Sequence, residues 1–269
     1  MLLRKLWRTM GTYKAQFISM IIMIALGIGI FIGFNIEWYS LEKNSDSFLR
    51  ETNFADYRIV SESGFSADDV QNVLSVDGVK ASSRFISVNA DVKERDGDSV
   101  ALTVTENPDV SSFITVDGDG YDPDSTDGIW ISKKYADANG IAVGDTLTFV
   151  YRNAEITGKV RGLIRAGEYL ICVRDETQLM PDPDTYGFAY ISPAMMKDAL
   201  GFEFYPQINV ISDTEKKDFC ERIDSAFGKT MLILSKDENI SYSGASGEAE
   251  EGKTMSTVLP VMLLRFSRW

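Results

Sequence analysis

The sequence predicts an α+β protein in which one N-terminal transmembrane helix precedes an extracytoplasmic domain of mixed helices and strands. Residues 15–36 form an uncharged apolar run, whereas residues 40–250 alternate between short patterns of period two and period 3.6. Charge divides the chain in the same way. With −13 overall and four basic but no acidic residues in 1–36, residues 37–269 carry −17.

The apolar run AQFISMIIMIALGIGIFIGFNI, residues 15–36, is long enough to cross a membrane. As a helix it would be about 33 Å long, against about 30 Å for the hydrocarbon core of a bilayer. It is longer than the apolar core of a cleaved signal peptide, and no small-residue cleavage site follows it. We therefore predict an uncleaved transmembrane helix over residues 15–38.

Charge and aromatic residues predict how this helix is oriented. Basic residues precede it and acidic sequence follows, so the N terminus is expected in the cytoplasm and the main domain outside. The inside-positive residues are Arg4, Lys5, Arg8 and Lys14. The expected anchors at the membrane interfaces are Trp7, Tyr13, Trp38 and Tyr39. Residues 1–14 are interpreted as a cytoplasmic amphipathic leader, the alternative being a flexible basic segment.

Two glycines inside the span, Gly29 and Gly33, have the GxxxG spacing. This spacing lets a second helix approach closely, so both are candidate helix-packing residues. The alternative is that they are small residues tolerated in lipid, because glycine is common in transmembrane helices.

The first half of the body begins with a strand at 55–60 and a helix at 66–75, which Ser66 is placed to cap. Residues 87–105 alternate in hydropathy on both sides of an Asp-Gly turn, which indicates a β-hairpin. A strand, a short helix ending at Gly140, a VGD turn and two further strands are expected over 129–164.

From Tyr186 onward the pattern is β-α-β-α-β. We therefore predict an α/β domain made of residues 39–114 and 181–245, with a β-rich insertion at 115–180. Residues 246–269 are interpreted as a linker followed by the truncated start of a second transmembrane helix.

The composition excludes most catalytic chemistry. The chain has no histidine, so Ser-His-Asp and Cys-His catalysis and histidine metal sites are impossible. The two cysteines, Cys172 and Cys220, have no metal-like spacing and are either a disulfide or two small buried residues. The acidic body would repel phosphate, which argues against nucleic-acid binding. We expect no enzymatic activity, no cofactor and no metal.

Two segments imitate functional motifs. GEAEEGKT at 247–254 matches the P-loop pattern, but it would place three glutamates beside the phosphates and does not follow a buried strand. The acidic loop 117–128 has a residue other than glycine where an EF-hand requires glycine. We interpret the first as a linker and the second as a solvated turn region.

Three stretches carry a resemblance to a known family: LLRKLWRTMGTYKAQF at 2–17, the glycine-containing first helix, and WISKKYADANGIAVGDTLTFVYRNAEITGKVRGLI at 130–164. Together they resemble the N-terminal part of an ABC transporter permease of the MacB/FtsX family. The last stretch is similar to the family's pattern of a short helix, a VGD turn and paired strands. The resemblance extends to about Ser256.

The resemblance implies a first transmembrane helix followed by a MacB-like periplasmic core domain, with a porter-like α/β part and a sabre-like insertion. It implies a permease subunit that couples cytoplasmic ATP hydrolysis to movement of this domain, for export, release or sensing of a peptide, lipid or lipoprotein. The implied partners are a cytoplasmic ABC ATPase subunit, further transmembrane helices or a second permease half, and the membrane.

The C-terminal sequence TVLPVM resembles the start of the family's second transmembrane helix, whereas LLRFSRW departs from it. We therefore expect an N-terminal fragment of a longer permease. The main alternative is a membrane-anchored extracellular binding or sensor domain without transport activity. A third interpretation, an anchored hydrolase, would need a carboxylate pair from Asp117, Asp119, Asp122 and Asp124.

Overall fold

The computed structural model describes residues 11–266 except 176, 179, 202 and 229, and only the backbone of residues 259–266. The predicted site residues Arg4, Lys5, Trp7 and Arg8 lie outside the described residues. The chain forms two compact units. One comprises the residues up to Asp46 together with those from Gly244 onward, and the other is Ser47–Ser243.

Two long helices supply the described part of the first unit. Helix α1, Lys14–Glu51, contains the apolar run and continues well beyond it. In the described residues it is the one helix long and apolar enough to span a membrane, with a mean hydropathy of 2.6 and 6% of its most apolar window buried. Helix α6 is Ile240–Phe266. The candidate transmembrane helix predicted from the sequence is thus present.

In the described part of the chain, ten strands form one sheet of order β10-β1-β9-β2-β3-β8-β5-β7-β4, with β6 paired to β2 and β7. The pairs β3–β8 and β5–β7 are parallel and the others antiparallel. The strands are β1 Tyr57–Val60, β2 Val79–Val92, β3 Ser99–Thr105, β4 Phe113–Gly118, β5 Gly128–Ser132, β6 Thr146–Tyr151, β7 Ala154–Ala166, β8 Tyr186–Ile191, β9 Gln207–Ser212 and β10 Leu232–Ser235.

Four short helices pack on this sheet: α2 Ala67–Leu74, α3 Lys133–Asn139, α4 Pro193–Leu200 and α5 Lys216–Phe227. Local sequence explains where they begin and end. Ser66 caps α2 in a reciprocal capping box with Asp69, as predicted. Helix α3 ends at Gly140, whose φ of 67° is left-handed and therefore favours glycine.

The core has distinct parts on the two halves of the sheet. Ile59, Val210 and Phe219 belong to a cluster formed by β1, β9, β10, α2 and α5. A larger cluster joins β2, β3, β5, β6, β7 and β8 to α3 and α4. Strand β5 is buried on both faces, because Ile129 and Ile131 enter the larger cluster while Trp130 enters a third, aromatic one. The predicted α+β fold class is confirmed.

The segment 115–180 does not form a sheet of its own. Its strands β5 and β7 continue the sheet through β8, and Ile131 shares a core with Leu102 and Ala189 from the flanking α/β segments. The physical reason is that β5 is apolar on both faces and must be covered on both.

The predicted linker from residue 246 is helical and belongs to α6. Ala245 and Ala249 are buried one turn apart, so packing along one face offsets the poor helix propensity of Gly247 and Gly252. The same finding removes the P-loop interpretation of 247–254, because backbone N–H groups within a helix are already hydrogen-bonded and cannot form a phosphate-binding loop.

Candidate functional site at the roots of the two long helices

The end of α1 and the start of α6 meet the sheet at the same place within the unit Ser47–Ser243. We call this place the helix-root junction and define it as residues 48–58, 111, 167–171 and 236–242. It is built around a short 3-10 turn, Gly167–Tyr169, which directly follows β7.

Helix α1 is terminated by a left-handed residue. Asn53 has a φ of 47°, a conformation that asparagine tolerates better than most residues. The Phe54 amide donates to the Leu49 carbonyl at 2.9 Å, which closes the last turn. The buried Thr52 hydroxyl donates to the Phe48 carbonyl, also at 2.9 Å. The chain therefore passes from α1 into β1 through a fixed turn.

Helix α6 begins at a buried asparagine cap. Asn239 Oδ1 accepts a hydrogen bond from the Ser241 amide at 2.7 Å, as expected for an N-cap. The preceding turn, Lys236–Glu238, is closed by a capping box between Ser235 and Glu238. The segment between β10 and α6 is thus held in place by its own side chains.

The turn Gly167–Tyr169 contacts both helices. A side chain at Gly167 would overlap Thr52 Oγ1 and lie 3.3 Å from Leu49 Cδ2, so only glycine fits against the end of α1. On the other side, the Ser241 hydroxyl donates to the Glu168 carbonyl at 2.9 Å and accepts from the Ile171 amide at 3.2 Å. The turn is therefore clamped between the two helix roots.

Glu168 is the charged centre of the junction, and its side chain is 6% exposed. Its carboxylate pairs with the Arg58 guanidinium, and it accepts hydrogen bonds from Ser111 Oγ at 2.7 Å and Asn239 Nδ2 at 3.2 Å. Ser111 in turn accepts from Asn209 Nδ2 at 2.6 Å. A buried charge with this many partners is stable only while all of them stay in place.

Aromatic and cationic groups add a direct contact between the helix roots. Phe54, just after α1, stacks on Tyr242 in the first turn of α6, with ring centroids 6.2 Å apart. Lys236 Nζ lies 5.5 Å from the Tyr242 ring and 3.0 Å from Asp56 Oδ1. Burial lowers the pKa of Lys236, but the hydrogen bond and charge of Asp56 outweigh it and raise the pKa overall.

Within the other unit, α1 and α6 contact each other through a small residue. A side chain at Gly252 would lie 2.8 Å from Trp38 Cβ, and Lys253 Nζ lies 5.9 Å from the Trp38 ring. Ala245, Ala249, Gly252 and Ser256 recur at spacings of four, three and four, which places them on one helix face. Trp38 is thus partly covered by α6, a contact the sequence did not predict.

The remaining predicted membrane-facing residues stay predictions. Tyr13 and Tyr39 are each 57% exposed, as interface anchors would be. No described atom beyond their own helix backbone lies within 4 Å of a side chain built at Gly29 or Gly33. Lys14 is exposed at the start of α1.

The acidic loop and the two cysteines take part in contacts that stabilise the fold. In the acidic loop 117–128, Asp127 pairs with Arg161 at 3.0 Å. The described residues contain no cluster of three carboxylates, cysteines or histidines that could hold a metal. Cys172 and Cys220 are free thiols that pack against different core clusters.

Comparison with known proteins gives likenesses of fold. No protein-family model and no curated protein matches the sequence. Among solved structures, the chain is similar to the extracellular domain of the noncanonic ABC-type transporter YknZ from Gram-positive bacteria. The identity is 14%, the TM-score 0.48, and 67% of this chain and 98% of that one are covered.

The chain is also similar to the periplasmic region of MacB from Actinobacillus actinomycetemcomitans. The identity is 13% and the TM-score 0.44, with 75% of this chain and 95% of that one covered. Both neighbours are of the kind that the sequence resemblance named. At these TM-scores and identities, the likeness does not extend to activity.

Proposed function

We propose that this chain is a permease subunit of an ABC transporter of the MacB/FtsX type. It couples cytoplasmic ATP hydrolysis to movement of its extracytoplasmic domain, for export, release or sensing of a peptide, lipid or lipoprotein. The observation that carries the proposal is the helix-root junction, where both long helices hold the same turn, Gly167–Tyr169.

This arrangement suits the transmission of movement. Strand β7 runs directly into the clamped turn and pairs with β4, β5 and β6. A shift of either helix root therefore displaces a strand in the interior of the sheet. Close-packed, fully hydrogen-bonded groups deform little, so they pass such a shift on.

In this proposal the chain does no chemistry of its own. ATP hydrolysis belongs to a cytoplasmic ABC ATPase subunit, and further transmembrane helices or a second permease half complete the membrane part. The domain Ser47–Ser243 lies outside the cell and the N terminus lies in the cytoplasm. The basic leader and acidic body support this orientation.

The proposal is tested with tagged full-length chain purified from native membranes together with any bound ATPase. Nitroxide labels at Val116→Cys on β4 and Lys217→Cys on α5, with Cys172 and Cys220 replaced by alanine, report movement between the two ends of the sheet. We expect ATP and Mg²⁺ to shift the distance between the labels. Absence of an ABC ATPase from the preparation, or a distance indifferent to ATP, would contradict the proposal.

The junction itself is tested in the same preparation with a matched pair of variants. Ser241→Ala removes the contacts to Glu168 and Ile171, whereas Ser225→Ala removes a hydroxyl on the exposed side of α5. We expect ATP hydrolysis to persist in both, and the ATP-dependent change in distance to shrink only in Ser241→Ala.

A second candidate is a membrane-anchored binding or sensor domain without transport. It is favoured by cavities of ligand size inside Ser47–Ser243, one of them about 550 Å³. Ligand binding together with a distance that never responds to ATP would support this candidate.

A further inference from the structure

The cavity of about 550 Å³ lies within the unit Ser47–Ser243 and is lined by Tyr169 of the turn Gly167–Tyr169 but not by Glu168. We call it the aromatic cavity. Phe48, Tyr169, Tyr186 and Phe188 contribute rings to its wall, and Ile164 and Leu170 contribute aliphatic side chains. Its volume is within the range of about 300–1,000 Å³ that is typical of small-molecule sites.

The wall of the aromatic cavity is largely uncharged. The Tyr169 hydroxyl forms hydrogen bonds with Ser87 Oγ at 2.7 Å and Thr103 Oγ1 at 2.6 Å, so it is not available to a ligand. Cys172 also lines the cavity, and burial raises the pKa of its thiol to about 12, so it is neutral at physiological pH. Such a wall favours an apolar ligand body.

Among the described residues, the charged side chains that line this cavity are all basic: Lys133, Lys134 and Arg165. Lys133 is paired with Asp137 at 2.6 Å. In the described part of the chain, Lys134 and Arg165 have no carboxylate within ion-pair distance, and no acidic residue lines the cavity. Arg165 instead lies over the Phe48 ring, 5.4 Å from its centroid.

Two cations that have no ion-pair partner among the described residues, both beside an apolar cavity, are unexpected in a chain of net charge −13. Acidic residues outnumber basic ones 40 to 27, so partners for these cations were abundantly available. The local charge is therefore opposite in sign to that of the molecule as a whole, and it would concentrate an anion at this cavity.

We propose that the aromatic cavity binds an amphipathic anion, a single acyl chain that carries an anionic headgroup. The acyl chain occupies the space between the aromatic rings and Ile164, and the headgroup pairs with Lys134 and Arg165. A sugar or nucleotide is a poorer fit, because its many polar groups would find few hydrogen-bonding partners here. The proposal holds whether or not the chain belongs to a transporter.

Binding is measured without ATP, so a failure to bind these probes would not contradict the proposed permease role. The full chain is placed in nanodiscs of phosphatidylcholine and exposed to diazirine-bearing palmitic acid, the neutral diazirine-bearing hexadecanol, or diazirine-bearing lysophosphatidylglycerol. After irradiation, labelled peptides are mapped by mass spectrometry. We expect the anionic probes to label the segments 164–172 and 181–188, with unlabelled palmitic acid as competitor, and the alcohol to label them at least tenfold less.

The two anionic probes separate the possible sources of the ligand. Preferred labelling by palmitic acid indicates a free fatty acid, whereas preferred labelling by the lysophospholipid indicates a membrane lipid. For the fatty acid, shortening the chain by two carbons should weaken competition about tenfold, because each buried methylene contributes to binding. Equal competition by fatty acids of all chain lengths would show that the acyl chain does not bind against the apolar wall.

A matched pair of charge variants completes the test. Lys134→Glu/Arg165→Glu should lower labelling of both segments about tenfold, whereas Lys159→Glu/Lys217→Glu makes the same change in net charge at exposed sites elsewhere and should leave it unchanged. Cys172→Phe fills the cavity without altering charge and should also abolish labelling. Equal labelling of the alcohol and the acid, or loss in both double variants alike, overturns the proposal.

Discussion

The helix-root junction and the aromatic cavity share the turn Gly167–Tyr169 but surround it with different charged residues. Tyr169 lines both the aromatic cavity and a second cavity of about 530 Å³ beside Arg58 and Glu168. On the junction side, the buried carboxylate of Glu168 has three partners. On the other side, Lys134 and Arg165 have no carboxylate partner among the described residues.

This difference separates two uses of charge in one domain. A charge removed from water and fully paired fixes the positions of its partners, and losing one partner is costly. A cation that keeps its hydration beside an apolar cavity contributes little to stability but remains available to an incoming anion. Substitutions on the two sides should therefore differ in what they change, stability on one side and binding on the other.

The largest effect is expected for Glu168→Ala. It leaves Arg58, whose side chain is 19% exposed, without its carboxylate and removes the acceptor for Ser111 and Asn239. We expect the free energy of unfolding to fall by about 3–5 kcal/mol. Glu155→Ala breaks an ion pair with Lys93 in which both side chains are 53% exposed, and should cost less than about 1 kcal/mol. Denaturant unfolding of the full chain measures both, and equal losses would contradict the distinction.

A smaller effect is expected for Gly167→Ala. The new methyl group would overlap Thr52 Oγ1, so the end of α1 must move, at a cost of about 1–3 kcal/mol. Gly120→Ala is the control, because no atom of the described residues lies within 4 Å of a side chain built there. In a double-mutant cycle, Thr52→Ala should recover part of the loss. Additive effects of the two substitutions would show that the turn is not clamped against α1.

The double variant Lys134→Glu/Arg165→Glu tests whether the cations of the aromatic cavity contribute to stability. Its unfolding free energy should stay within about 0.5 kcal/mol of that of the unmodified chain, because neither cation has an ion-pair partner among the described residues. The same unfolding experiment measures it. A loss as large as that of Glu168→Ala would mean that these cations are structural, and the two sides of the turn would no longer differ.

The sequence predicted the elements that local signals determine. Ser66 and Gly140 mark helix ends through their own neighbours, and the run 15–36 is apolar enough to be recognised alone. The junction could not be predicted in this way, because Glu168 meets Arg58 and Asn239 across separations of 110 and 71 residues. The helical state of 246–256 was also missed, because Ala249 and Gly252 derive their helix from packing rather than propensity.

A further effect, visible only as a dependence on pH, is expected at the exposed cap that precedes α6. Hydrogen bonds from Lys216 and from the Ser235 amide and hydroxyl lower the pKa of Glu238 to about 2. Because this pKa is lower in the folded state than in the unfolded chain, its contribution is complete above the ordinary glutamate pKa of about 4.3 and disappears as the pH falls towards 2. The unfolding midpoint should therefore decrease between pH 5 and pH 2 less steeply in Glu238→Gln than in the unmodified chain. Glu62→Gln, which removes an exposed carboxylate in the loop after β1, is the control variant. Identical curves for Glu238→Gln and the unmodified chain would mean that this cap does not hold the start of α6, and that the junction depends on its buried groups alone.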